Sequence, residues 1–154
     1  KYLVSVNVWR QTQTQSTIPS FYEEDFTILN PKRLDRGNGD GNFRMEFPLM
    51  QWLVAGLYKI FGPHLIISRL FMFITSIFSV IGLYHLLNTL FKNKLAACLS
   101  ATLFTFSPAF FYYAINPLPD NFSLATAIWG LALFYRYIES KNQWHFYLSA
   151  SLLT

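Results

Sequence analysis

The stretch LIISRLFMFITSIFSVIGLYHLLNTLF, from Leu65 to Phe91, carries no charge after Arg69, and only His85 in it could acquire one near neutral pH. Two more stretches repeat the pattern. Leu95 to Pro119 has no charged residue, and neither does Asn121 to Tyr135. A helix needs roughly 20 apolar residues to span a bilayer. Three such runs in succession do not suit a water-soluble core, so the stretches predict a helical chain that crosses a membrane repeatedly.

Basic residues stand where these runs end. Lys92 and Lys94 follow the first run, and Arg136 and Lys141 follow the third. That placement follows the rule that orients membrane helices with positive loops inside. The whole chain has a formal charge of +4, but its basic residues form no patch, which excludes nucleic acid as a partner. Apolar residues make up 53% and charged residues only 13%, about half the charged share of a soluble domain. The single cysteine, Cys98, excludes an internal disulfide and a cysteine metal site, and reads as a small buried hydrophobe.

Proline and glycine divide the chain. Gly62-Pro63 and Asn116-Pro117-Leu118-Pro119 cannot continue a helix, and Pro108 should kink or shorten the second run. The expected architecture is an all-α, polytopic transmembrane bundle forming one membrane domain over 1–154. A polar loop covers 10–47, a short helix covers 48–61, and spans cover 65–91, 95–113, 121–138 and 144–154. Within the loop, Thr17–Phe26 sets Ile18, Phe21, Tyr22 and Phe26 opposite Glu23, Glu24 and Asp25, the pattern of a short helix lying on a membrane surface. The chain opens at Lys1 and stops at Thr154 inside an apolar run. It therefore reads as the N-terminal part of a longer protein, with part of any site elsewhere and no activity of its own.

Topology turns on Pro48–Phe61. As a helix it reaches about 21 Å, short of the roughly 30 Å hydrocarbon core. An interfacial helix is the favoured reading. The lysine-rich turns then lie inside, while the 10–47 loop and the Asn116–Asp120 turn share the outer face. A crossing helix would reverse that parity.

On the outer face, Glu46 and Asp120 each precede an apolar helix. Either acid alone could complement a helix dipole or cap its free N–H groups. Together they are candidates for a site, because carboxylates at the edge of hydrocarbon usually face a cavity or a partner. Arg10, Arg36 and Arg44 in the loop could bind a phosphate or remain solvated cations. Other signals fail. Asp35–Gly41 fits no calcium-loop register. Asn121-Phe122-Ser123 matches a glycosylation triplet but lies against the membrane. His64, His85 and His145 lack metal-ligand spacing.

The order of short motifs is informative. Glu46-Phe47-Pro48-Leu49 leads into a helix ending Leu57-Tyr58-Lys59-Ile60-Phe61-Gly62. Then come Ser68-Arg69-Leu70, the Leu90-Phe91 turn, Phe106-Ser107-Pro108 and Leu118-Pro119-Asp120. This succession resembles the bacterial relatives of dolichyl-phosphate-mannose protein mannosyltransferases and the lipid A aminoarabinose transferases, membrane glycosyltransferases of the GT-C kind. Trp9-Arg10-Gln11 and Phe21-Tyr22-Glu23-Glu24 extend the likeness to one bacterial branch, from Val8 to Tyr137 in all.

The resemblance implies transfer of a sugar from a polyprenyl-phosphate donor to a lipid, glycan or protein hydroxyl, with inversion, at the outer face of the plasma (inner) membrane. It places Glu46 in the family's Glu-x-Pro motif and Asp120 at the acid that opens a later helix of the site. It also allows these two acids a divalent metal ion. Many relatives carry an Asp-Glu pair where Arg10-Gln11 stands here. Neither residue can act as a carboxylate base, so Asp120 becomes the first candidate. The rival expectation is a multi-span transporter or flippase of lipid-linked substrates, which would place ionisable residues near the bilayer midplane.

Overall fold

The computed structural model describes residues 8–32 and 47–153. Its seven helices are α1 (Val8–Glu23), α2 (Leu49–Phe61), α3 (Leu65–Phe91), α4 (Lys94–Thr105), α5 (Pro108–Ile115), α6 (Pro119–Ser140) and α7 (Gln143–Leu153). The described residues form two compact units. One holds α1, α2, the start of α3 to Phe71 and the Asn116–Pro119 turn. The other holds the rest of α3 with α4, α5, α7 and α6 from Asp120 onward.

In the first unit α1 packs on α2. Tyr22 meets Tyr58 edge to face, with ring centroids 6.4 Å apart. The peg of this contact is Phe26, which lies beyond the end of α1. Its ring sits 5.0 Å from that of Trp52, its carbonyl accepts the Trp52 indole N–H at 2.9 Å, and the Lys59 ammonium lies 3.9 Å over its ring. The turn carrying Phe26 is tied by Asp25. That carboxylate accepts the Thr27 hydroxyl at 2.6 Å, the Thr27 backbone N–H at 3.0 Å and the Asn30 amide at 3.2 Å. These donors, the Thr27 hydroxyl foremost, hold the Asp25 carboxyl below its ordinary value of 3.8.

The helix expected over Thr17–Phe26 is thus displaced. It starts at Val8, ends at Glu23 and leaves Phe26 to the turn. Packing, rather than propensity, extends it over a polar run. Gln11, Gln13, Thr14, Thr17 and Ser20 are all buried beside Ile18 and Phe21.

Helix α3 forms over the residues read as the first span. Its 27 residues reach about 40 Å, enough to cross a bilayer with some tilt. Leu70, Phe73, Ile74, Ile77, Phe78 and Ile81 are exposed along it. Water would not tolerate so long an apolar surface, and lipid would. By length and composition α3 is the one described helix that qualifies to cross. The pair α4 and α5, bent by 67° at its break, makes a second if counted as one span.

The expected kink at Pro108 is therefore a full break. Pro108 opens α5, where its missing N–H costs nothing, and Phe104 and Phe110 stack across the break at 4.5 Å. Cys98, expected to be buried, is exposed on α4. It lies with Val80, Ile81, Tyr84 and Phe106 along a groove of about 390 Å³. A thiol counts as apolar surface there, so lipid can cover it as a core would.

Two glycines set helix spacing in the second unit. A Cβ on Gly82 would lie 2.8 Å from Nε1 of Trp129, whose N–H donates to the Phe78 carbonyl at 2.9 Å. A Cβ on Gly130 would lie 2.6 Å from Cγ of Leu153, near the exposed end of α7. The indole is fixed by its hydrogen bond and the leucine is not. Gly82→Ala should therefore cost about 1–3 kcal/mol, the usual penalty of overpacking, and Gly130→Ala distinctly less. Thermal unfolding in detergent checks the order of the two.

Candidate functional site

Asp120 is the second residue of α6, and its side chain is exposed in the first helical turn. The sequence fixes this placement. The Asn116–Pro119 turn cannot continue the preceding helix, and Pro119 is well suited to begin the one that follows. The turn is anchored, because Pro117 and Leu118 are fully buried and the Leu118 N–H donates to the Asn116 carbonyl at 2.8 Å. A carboxylate thus stands at the head of an apolar helix, outside the packed interior.

The next residue is held differently. Asn121 is 1% exposed, and its Nδ2 donates to the Ser76 hydroxyl on α3 at 2.6 Å. That hydroxyl donates in turn to the Met72 carbonyl at 2.8 Å and lies 3.4 Å from the Ala114 carbonyl at the end of α5. A serine has one proton to give. With that proton directed to a carbonyl, the hydroxyl oxygen accepts from the Asn121 amide. The Asn121 Oδ1 is then buried with no protein partner, at a cost of roughly 1–3 kcal/mol. A buried amide already donating is poorly presented for glycosylation.

Arg10, the third residue of α1, is half-buried and belongs to the first unit. Glu46, Arg36 and Arg44 lie outside the described residues, so the pocket shared by Glu46 and Asp120 remains an expectation. Among the described residues no three His, Cys, Asp or Glu side chains come together as a metal site, and Asp120 belongs to no such group.

Two polar features escaped the sequence reading. Gln51 on α2 is 4% exposed with its Oε1 unpartnered, and the Nε2 of Gln15 on α1 is likewise buried without a partner. Tyr58 and Ser68 share a buried hydrogen bond of 2.7 Å. For Gln51, Tyr58 and Ser68 the signal available was a polar group inside an apolar helix, which is costly unless it has a task, whereas Gln15 in the polar run of α1 gave none. The groove beside Cys98, by contrast, has no polar demand. The hydroxyls of Thr102 and Thr105 donate back to the carbonyls of Cys98 and Ala101, each at 2.8 Å. Its walls suit a hydrocarbon chain and not a sugar or phosphate.

Residues 46–154 match the family described as dolichyl-phosphate-mannose-protein mannosyltransferase. The match opens at Glu46 and takes in α2 to α7, including Asp120, Asn121 and Ser76. It agrees with the resemblance read from the motifs between Glu46 and Tyr137. No curated protein and no solved structure matches the chain.

Proposed function

Because this chain belongs to the dolichyl-phosphate-mannose-protein mannosyltransferase family, a family of membrane glycosyltransferases, we propose that it moves a sugar from a polyprenyl-phosphate donor to a hydroxyl acceptor at the outer face of the plasma membrane, as part of a multi-pass bundle. The observation that carries this reading is the exposed Asp120 carboxylate at the head of α6, inside the family match.

The reaction needs a base, a cation and an orientation. The acceptor oxygen attacks the anomeric carbon as its proton passes to Asp120. The bond from that carbon to the phosphate oxygen breaks, and its electrons leave with the polyprenyl phosphate. Arg10, Arg36 and Arg44 supply the positive charge that stabilises the leaving phosphate. Direct displacement inverts the anomeric configuration. Glu46 holds the donor or acceptor against the site. The broken α4–α5 pair is the feature that would suit a transporter. Against it stand the family and a second unit in which Asp120 lies at a helix end.

The experiment is a panel. Reconstituted full-length protein is given polyprenyl-phosphate sugars radiolabelled in the sugar, mannose among them, together with extracted membrane acceptors. At least one donor should lose its label to a product. A panel in which none does overturns the reading.

The outer-face placement has its own test. In a background with the exposed Cys98 replaced by alanine, single cysteines at Asn38 and Asn142 should react with an impermeant thiol reagent from opposite sides. The Asn38 site should react from outside. Labelling of both from one side contradicts the topology.

A further inference from the structure

The hydrogen bond between Asn121 and Ser76 ties three helices of the second unit at one point. Ser76 is on α3, its hydroxyl meets the carbonyl of Ala114 at the end of α5, and Asn121 is in the first turn of α6. The group next to this knot in the chain is the candidate base. We propose that the Asn121–Ser76 bond is a positioning clamp for Asp120, seating the first turn of α6 so that the carboxylate meets the acceptor hydroxyl at a fixed angle. This rests on the reading of Asp120 as the base.

Three observations support the clamp. The 2.6 Å contact is shorter than the roughly 2.7–3.2 Å usual for an N–H···O bond, so the two side chains are held tightly together. The Ser76 hydroxyl donates to the Met72 carbonyl of its own helix and accepts from Asn121, so it serves both helices at one point. The fold also tolerates a buried, unpartnered Asn121 Oδ1 to keep it. A leucine would fill much the same space without that penalty. What asparagine adds over leucine is the donor that pins α6, and the exposed residue so pinned is Asp120. Asn121 does not touch substrate in this arrangement, and neither does Ser76. Both act through the backbone of the turn.

The test is epistasis measured on the donor that the panel selects, with purified full-length protein. Asn121→Leu removes the donor and keeps the volume. It should lower kcat about 10²-fold, the loss typical of a reacting group displaced by about an ångström, with KM little changed. In an Asp120→Asn background the same change should lower the residual turnover by no more than about twofold, the scatter of independent effects, because no base remains to be aimed. Ser76→Ala should behave like Asn121→Leu. Ser76→Thr, which keeps a hydroxyl, should restore most of kcat. If Asn121→Leu fails to fold, the Ser76 pair carries the comparison.

Equal losses in both backgrounds would show a merely structural role and overturn the clamp. So would full turnover in Asn121→Leu. If Asp120→Asn itself keeps wild-type turnover, Asp120 is not the base, and the reading beneath the clamp fails first. A panel with no active donor overturns both.

Discussion

Asp120→Asn should lower sugar transfer by about 10²–10⁴-fold, the range expected when a general base is lost. The substitution keeps the shape of the side chain and its place in the first turn of α6. It removes only the negative charge and the basic lone pair. Since the side chain is exposed and outside the packed interior, folding should be nearly unaffected, and the loss should fall on kcat. Donor affinity should hold, because a carboxylate does nothing to attract a phosphate. A fall in donor affinity at constant kcat would instead make Asp120 a binding residue. Wild-type turnover would remove it from the mechanism.

Glu46→Gln should reduce turnover by about 10²-fold, as expected for lost orientation of a bound reactant. Glu46 opens the stretch matched by the family, and it directly precedes Phe47-Pro48 and the start of α2 at Leu49. A carboxylate there can accept hydrogen bonds from sugar or acceptor hydroxyls that a neutral amide holds less firmly. The double variant with Asp120→Asn should be scarcely worse than Asp120→Asn alone, since residues acting as a unit are far from additive. Additive losses would show that the two acids do not act as a unit.

The parts of the fold that could be read from the sequence are those whose solvent decides their structure. Helix α3 was legible at both ends because charge and turn residues bound an apolar run on each side. Helix α2 was legible from Pro48 and Gly62-Pro63. Pro108 announced a kink, but a bend of 67° depends on how the flanking helices pack, and Phe104 against Phe110 is a tertiary fact. Helix α1 was largely illegible. Its Gln and Thr run has little apolar periodicity, and it becomes a helix because the surroundings bury both its polar and its apolar side chains.

The candidate site divides the same way. A proline turn followed by an acid at the head of an apolar helix marked Asp120. Ser76 gave no signal, because one hydroxyl in a span usually bonds back to its own helix, as Thr102 and Thr105 do. Asn121 offered the wrong signal, a glycosylation triplet. Only their hydrogen bond, across 45 residues of sequence, brings the two residues together.

The central claim is that this protein breaks the bond between a sugar and a lipid phosphate. It is tested most directly by following a polyprenyl-phosphate sugar, ¹³C-labelled at the anomeric carbon, in vesicles containing the full-length protein. The account predicts that the labelled carbon leaves the lipid, that polyprenyl phosphate accumulates in equal amount, and that nuclear magnetic resonance finds the new linkage inverted. Label that crosses the bilayer while still joined to its lipid would be the work of a flippase and would contradict the account.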